Sequence, residues 1–77
     1  MDKDSYRLQE FGIRLAELRK QKGISQEKLA LESGLARSYL SGVERGQRNI
    51  SLLNIYKIAD TLDLNIKCFF DNNLRNE

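Results

Sequence analysis

Glycines at positions 23, 34 and 46 divide the chain into short segments whose apolar residues recur every three or four positions. That spacing is the period of an amphipathic α-helix, and no segment shows the strict alternation of a half-buried strand. The periodicity predicts helices over about 5–22, 26–33, 37–45, 52–62 and 66–74. We therefore expect an all-α fold of five helices, in a single domain that spans residues 1–77.

The composition excludes several classes of site. The chain contains no histidine and a single cysteine, Cys68, which removes the usual general base, the usual zinc ligand and an internal disulfide. It also lacks a phosphate-binding GxxxxGK[ST] motif, so we expect a binding protein rather than an enzyme, without metal or cofactor. No apolar run is long enough to span a membrane, and the start MDKDSYRLQE is unlike a signal peptide, so we expect a cytoplasmic protein.

Positive charge is concentrated in the middle of the chain. Residues 19–48 carry seven basic and three acidic side chains, a net charge of +4, whereas residues 1–18 and 49–77 each have a net charge of −1. A basic segment of this kind fits a polyanionic partner, and it equally fits a solvated surface. Charge alone leaves both interpretations open.

The segment QEKLALESGLARSYLSGVER, residues 26–45, meets the geometric demands of a helix-turn-helix. Ala30 is small enough for a tight crossing of two helices, and Gly34 accepts the left-handed backbone angles of the turn between them. Ala36 stands at the cap position of the second helix and has no side-chain oxygen, which predicts free backbone N–H groups there. Apolar side chains follow at the positions that anchor the two helices: Leu29, Leu35, Leu40 and Val43.

With that motif, the chain resembles the Xre/lambda-repressor-like helix-turn-helix family over about residues 8–70. The resemblance is carried by the runs SQEKLA, SGLARSYLSGVERG and ISLLNIYKIADTLDL, and the run RSYLSGVERGQRNISL most resembles the controller proteins of restriction–modification systems. It implies a transcriptional regulator that binds a palindromic operator in double-stranded DNA as a homodimer and regulates its own gene and the endonuclease gene. A phage-type repressor or an antitoxin of the same fold is one alternative, and a protein-interaction module without DNA binding is another.

The predicted helix 37–45 places its polar side chains on one stripe, opposite or oblique to its apolar stripe. Arg37 lies at the N-terminal end of this stripe, and its guanidinium can donate twice to a guanine edge in the major groove. The two serines of the stripe can bond to various base edges or to phosphates, so we expect them to discriminate only weakly between bases. The residues predicted to read bases are Arg37, Ser38 and Ser41.

Phosphate contacts are expected on both sides of this stripe, where they position the helix without reading sequence. Ser25 and Gln26 begin the preceding helix, where free backbone amides and the positive end of the helix dipole suit an anion. The resemblance implies that three residues at the end of the predicted helix 37–45 and just after it flank the groove: Arg45, which is also the last residue of the polar stripe, Arg48 and Asn49.

Three other residues of the predicted helix 37–45 need an explanation. Tyr39 either packs beside Val43 or reaches the sugar–phosphate backbone, and we favour the backbone because controller proteins often have tyrosine there. Gly42 lies in mid-helix, either because DNA approaches it closely or through drift. Glu44 lies between the core and DNA faces of this helix. The resemblance implies that Arg19, in the predicted helix 5–22, forms a structural ion pair with Glu44.

A homodimer is expected because one recognition helix spans too few base pairs for a unique site, whereas two helices about 34 Å apart double the recognised sequence. The chain ends soon after its last predicted helix, which offers more apolar surface than the monomer needs. The interface is therefore predicted at Ile66, Phe69, Phe70 and Leu74. One of the two phenylalanines is expected to face the monomer core instead. Activation would also need a contact with RNA polymerase, for which Glu27 and Glu32 are candidates.

Overall fold

The computed structural model describes residues 2–70, and every regular element in that range is helical. Four α-helices follow one another along the chain: α1 (Lys3–Gln21), α2 (Gln26–Ser33), α3 (Arg37–Glu44) and α4 (Leu52–Leu62). A 3-10 helix follows them over Ile66–Phe69. The all-α prediction is confirmed, and the predicted bounds of α2 and α4 coincide with the structure.

The prediction of a fifth α-helix over 66–74 is wrong for the part that the structure describes. Asn65 begins this segment, and its side-chain oxygen accepts from Lys67 N at 2.9 Å. Two backbone bonds then join residues three apart, from Cys68 N to Asn65 O at 2.9 Å and from Phe70 N to Lys67 O at 3.0 Å. That is the 3-10 pattern, and an apolar spacing of three residues is compatible with both helix types. The remainder of the predicted helix lies outside the described residues.

Helix starts and stops follow from individual residues. Ser25 accepts from Lys28 N at 3.0 Å and Ser51 accepts from Asn54 N at 3.2 Å, so α2 and α4 each begin at a serine cap. Gly34 ends α2 with φ of 78°, the left-handed conformation that the turn requires. Ala36 begins α3 without a side-chain cap, as the sequence predicts.

The core lies between the helices and receives apolar residues from every element. Its buried members are Leu15, Leu18, Leu29, Ala30, Leu40, Val43, Ile55, Ile58, Ala59, Leu62 and Phe69. Leu40 and Val43 are almost completely buried, so the inner face of α3 is tightly held. The outer face of α3 is thereby directed away from the core at a defined orientation.

Arg14 connects the 3-10 helix to α1. This arginine is buried, and its Nε donates to the Cys68 carbonyl oxygen at 2.9 Å while Nη1 contacts Glu17 Oε1 at 3.5 Å. The bond satisfies a carbonyl at the end of a short helix that has few partners of its own. The sequence did not identify Arg14, because the bond joins residues 54 positions apart.

The backbones of α1 and α3 approach each other closely at Gly12. A Cβ atom at this position would lie 2.5 Å from the Glu44 carbonyl oxygen and 2.8 Å from its carbonyl carbon, both of which are backbone atoms. Backbone atoms cannot move aside as a flexible side chain can, so only glycine fits this crossing. Gly12 therefore sets the distance between α1 and α3.

We expect Gly12→Ala to destabilise the fold by about 1–3 kcal/mol, because the added methyl group has to push α3 away from α1. Urea unfolding followed by circular dichroism measures the change in the free energy of unfolding. Gly42→Ala is the matched control and should be destabilised less, since the three atoms nearest to a Cβ there belong to the side chain of Arg48 and not to backbone. Wild-type stability in the Gly12→Ala variant would contradict the close crossing.

Candidate nucleic-acid interface

The outer face of α3 brings together the whole polar stripe predicted from the sequence. Arg37, Ser38 and Arg45 are exposed and Ser41 is half-buried. These four residues line one shallow concavity of about 330 Å³. The buried residues of α3 include Leu40 and Val43, so the recognition surface and the anchored face of the helix are distinct.

The arginines of this concavity differ in how they are held. The Arg45 guanidinium donates to Ser41 Oγ, and also to Gln47 Oε1 at 3.3 Å from Nε and 3.2 Å from Nη2. Arg37 makes no hydrogen bond or ion pair with any residue of the range 2–70. All five donors of Arg37 are therefore free of bonds to the described residues, whereas Arg45 uses three of its five N–H groups and Ser41 keeps only its O–H to donate.

The N-terminal ends of α2 and α3 differ in their free donors. Ser25 accepts from Lys28 N through its hydroxyl oxygen, so its O–H remains available to donate to an anion. Ala36 accepts nothing through its side chain, so the amides of the first turn of α3 keep their hydrogens free. Both ends can therefore donate to a phosphate, as the sequence predicts for Ser25.

Gln26 is held by a contact that the sequence did not predict. Its Nε2 donates to Glu44 Oε1 at 2.8 Å, and the two residues are 18 positions apart in the chain. One amide hydrogen and the amide oxygen remain for a phosphate or its hydration shell. Gln26 thus connects α2 to the end of α3, in addition to its predicted place at the phosphate backbone.

Arg19 and Glu44 form the buried ion pair that the family resemblance implies. Arg19 Nε donates to Glu44 Oε2 at 2.7 Å, Nη2 donates to Glu44 Oε1 at 3.0 Å, and Nη1 donates to the Ile24 carbonyl at 2.8 Å. Only 10% of the Arg19 side chain and 8% of the Glu44 side chain are exposed. The hydrogen bond with Glu44 raises the pKa of Arg19. We call Arg19, Gln26 and Glu44 the junction cluster, because they join α1, α2 and α3.

Tyr39 and Arg48 form a second contact beside α3. The Arg48 Cζ lies 5.9 Å from the centre of the Tyr39 ring, and the Tyr39 hydroxyl accepts from Asn54 Nδ2 at 3.0 Å. The Tyr39 ring also packs against the core, and its hydroxyl, which accepts from Asn54, keeps its O–H available to donate. This geometry is compatible both with packing of the Tyr39 ring in the protein and with a contact of its hydroxyl to the sugar–phosphate backbone. Asn49 is exposed next to this contact.

Gly42 does not present an open backbone to DNA. It is buried, and a Cβ there would lie 2.6 Å from Arg48 Cγ. The interpretation that DNA approaches the bare helix at Gly42 therefore needs the side chain of Arg48 to move away first.

The predicted dimer residues separate into different environments. Phe69 is only 3% exposed and stacks on Phe11 with 5.7 Å between ring centres, so it is the one of the two phenylalanines that faces the monomer core, as expected for one of them, and it does not belong to the interface. Phe70 is 57% exposed and Ile66 is half-buried, so both can still face a partner. Leu74 lies outside the described residues.

A second exposed apolar surface lies on α4 and was missed by the sequence reasoning. We call it the α4 stripe, formed by Leu52, Leu53 and Tyr56, and Leu53 alone is 72% exposed. The three residues share one side of the helix because residues three and four apart are neighbours on its surface. The signal was the pair of adjacent leucines, which widens the apolar face of α4 beyond the stripe that the core requires.

Within the described range, no group of histidine, cysteine, aspartate or glutamate side chains is placed to hold a metal ion. None of the helices in the same range combines the length and hydropathy that crossing a bilayer requires.

We expect Arg19→Met to lower the free energy of unfolding by about 3–5 kcal/mol, because it leaves the Glu44 carboxylate buried without its cation. Lys28→Met is the matched control, since Lys28 forms a 3.9 Å pair with Glu32 in which the side chains are 59% and 44% exposed. That exposed pair should contribute less than about 1 kcal/mol. Urea unfolding of both variants at one pH measures the difference, and equal losses would contradict a structural role for the junction cluster.

Comparison with known proteins agrees with this geometry. The helix-turn-helix family matches residues 15–67, more than half of the chain. The control protein C.BamHI of Bacillus amyloliquefaciens is 47% identical over 62 residues, which cover 79% of this chain and 76% of that protein. The crystal structure of the restriction–modification controller protein C.AhdI from Aeromonas hydrophila superposes with a TM-score of 0.83 at 58% identity, covering 84% of this chain and 98% of that one.

The controller protein C.Esp1396I has been solved as a tetramer in complex with its natural 35 base-pair operator. It superposes with a TM-score of 0.75 at 35% identity, covering 82% of this chain and 83% of that one. Sequence and structure thus point the same way: the chain belongs to the helix-turn-helix family, and among its members it is similar to the restriction–modification controller proteins.

Proposed function

We propose that this protein is a sequence-specific transcriptional regulator that inserts α3 into the major groove of double-stranded DNA. The observation that carries the proposal is the separation of the two faces of α3. Its inner face is locked into the core by Leu40 and Val43, while its outer face presents Arg37 without any bond to the described residues. A helix that is rigid on one side and offers free donors on the other can read base edges without reorganising.

The base contacts are assigned to Arg37, Ser38 and Ser41. Arg37 can donate two parallel hydrogen bonds to one guanine, and such a contact discriminates by about 1–3 kcal/mol against another base. Ser41 accepts from Arg45 through its hydroxyl oxygen, so its O–H can donate to a base while that bond stays in place. Two N–H groups of Arg45 are unused and can donate to a phosphate, so the two contacts can form together.

The phosphate contacts surround this surface. Ser25 and the uncapped start of α3 supply neutral donors, while Arg45 and Arg48 supply positive charge. The segment 19–48 carries the net charge of +4 that such a surface needs. Gln26 and Asn49 add polar groups at its edges.

The biological role that we propose is control of a restriction–modification system, by binding a palindromic operator and regulating both its own gene and the endonuclease gene. The similarity to C.BamHI and C.AhdI supports this assignment over a phage-type repressor or an antitoxin. The protein acts by binding, since the α3 concavity offers only guanidinium and hydroxyl groups and the chain has no histidine. It needs no cofactor, and its place is the cytoplasm, where the operator is found.

A homodimer is part of the proposal. The described domain measures 31 × 25 × 20 Å, so two copies in contact can place their α3 helices about 34 Å apart, one turn of B-DNA. We assign the interface to the α4 stripe, because its three apolar side chains are all exposed, with Leu53 72% exposed. The tetrameric complex of C.Esp1396I with its operator supports association on DNA.

Activation of transcription would use a surface that remains exposed while α3 is in the groove. The outer side of α2 has this property, with Glu27, Leu31 and Glu32 all exposed. An apolar side chain between two carboxylates suits a basic partner protein, and we propose RNA polymerase as that partner.

We expect Arg37→Ala to relax base preference at one position in each half-site and to lower affinity for the preferred duplex by roughly 5- to 150-fold. Selection of bound sites from random duplexes shows which position loses its preference. Lys67→Ala is the control, because it removes an exposed cation on the 3-10 helix and should leave the preference intact. Unchanged affinity and preference in Arg37→Ala would overturn the groove assignment.

The alternative, a protein-interaction module without DNA binding, is tested on the wild-type protein. A DNA reader loses affinity steeply as salt concentration rises, because each phosphate contact releases counterions. A titration of the wild-type protein with duplex DNA at several salt concentrations measures this slope. Absence of salt-dependent duplex binding would favour the alternative.

For the dimer, we expect Leu53→Glu to give a monomer, since a charge in an apolar interface has no partner there. Sedimentation equilibrium measures the shift in molecular mass, and circular dichroism confirms folding. Phe70→Glu distinguishes the two candidate surfaces, because it should leave the dimer intact if the α4 stripe is the interface. Dissociation by Phe70→Glu alone would return the interface to the C-terminal residues that the sequence predicts.

A further inference from the structure

In α3, the side chain of Arg48 occupies the space that a side chain at Gly42 would fill. A Cβ at Gly42 would lie 2.6 Å from Cγ, 3.6 Å from Cδ and 3.5 Å from Nε of Arg48. The stem of Arg48 therefore runs directly across the bare backbone of Gly42. A glycine inside a helix makes that helix less stable than an alanine would. Gly42 thus lowers the stability of α3 but leaves room for the side chain of Arg48.

Arg48 is also held at its other end. Its guanidinium lies over the ring of Tyr39, with 5.9 Å between Cζ and the ring centre. Tyr39 is in turn fixed by Asn54 of α4, which donates to its hydroxyl at 3.0 Å. The loop that carries Arg48 is tied to the same turn of α3, since Gln47 N donates to the Gly42 carbonyl at 2.8 Å.

The head of Arg48 nevertheless stays open to a ligand. The residue is exposed, and it forms no ion pair with a carboxylate of the described residues. A cation–π contact leaves the edges of the guanidinium and their N–H donors free. Arg48 is thus oriented by apolar and aromatic contacts while its hydrogen-bonding capacity is unused.

We infer that Gly42 is a positioning residue, which sets the affinity for DNA by holding Arg48 ready for a phosphate. The inference rests on the proposed function, because it assigns a ligand to Arg48. Ordering a free arginine on binding costs conformational entropy, whereas an arginine ordered in the folded protein has already met that cost. Gly42 therefore acts on the DNA without touching it.

A phosphate contact carries no sequence information, so Gly42 should influence all duplexes alike. This separates it from Arg37, whose loss changes base preference. We expect Gly42→Ala to weaken binding roughly 2- to 10-fold per half-site, since Arg48 has to be ordered anew in each complex. The weakening should be equal for the duplex selected by the wild-type protein and for a random-sequence duplex.

The decisive comparison is a double-mutant cycle of Gly42→Ala and Arg48→Ala, with dissociation constants measured by fluorescence anisotropy on both duplexes. If Gly42 acts through Arg48, adding Gly42→Ala to Arg48→Ala should change the affinity by less than a factor of two. If Gly42 instead lies against the DNA backbone, the added methyl group weakens binding in both backgrounds. That second result overturns the inference.

A measurement on the free protein tests the same inference without DNA. The heteronuclear NOE of the Arg48 Nε–Hε pair reports motion on the ps–ns timescale. We expect a high value in the wild-type protein and, in Gly42→Ala, a fall to the level of Arg37, which forms no hydrogen bond or ion pair with residues 2–70. An Arg48 signal that is equally mobile in both proteins would overturn the inference while leaving the DNA titration of the wild-type protein unaffected.

Folding of the variants is checked by circular dichroism. If Gly42→Ala fails to fold, the Gly42→Ala/Arg48→Ala variant decides, since the three atoms nearest to the new methyl group all belong to the side chain of Arg48. A double variant that folds supports the contact, and one that stays unfolded contradicts it. The proposed function fails separately, if the wild-type protein shows no salt-dependent binding to either duplex.

Discussion

The buried ion pair between Arg19 and Glu44 is the interaction on which the orientation of α3 depends. Arg19 satisfies both carboxylate oxygens and the Ile24 carbonyl, and Gln26 adds a further bond to Glu44. A buried charge is costly unless it is paired and hydrogen-bonded, so this geometry admits little variation. Gly12 brings the backbone of α1 against the same end of α3. Together these contacts fix the recognition helix at one angle before any ligand arrives.

The arginines around α3 illustrate a division of tasks. Arg37 has no bond to the residues that the structure describes, Arg45 is bonded to Ser41 and Gln47, and Arg48 lies across Gly42 and over Tyr39. A free side chain adapts to a base edge but loses entropy on binding, whereas a held side chain loses less but contacts only what lies in its direction. In the proposed function, the adaptable group contacts bases and the oriented groups contact phosphates, whose spacing in DNA is regular.

Most of the fold follows from local patterns in the sequence. The apolar period, the serine caps and Gly34 define α2 and α4, because helix formation and capping depend on residues within a few positions. The outward stripe of α3 follows for the same reason. The 3-10 helix, the burial of Phe69 and the exposure of Leu53 did not follow, because each depends on which neighbour covers the residue. A spacing of three residues fits either helix type.

The sequence by itself determined that the chain is helical, where its recognition helix lies and which side of that helix is polar. Those properties depend on backbone geometry and on hydropathy at a spacing of three or four residues. Only the tertiary structure decided that Gln26 joins the junction cluster, that Arg14 caps the 3-10 helix and that Gly42 accommodates Arg48. In each case the contact depends on how packed helices place side chains in three dimensions, which no local pattern encodes.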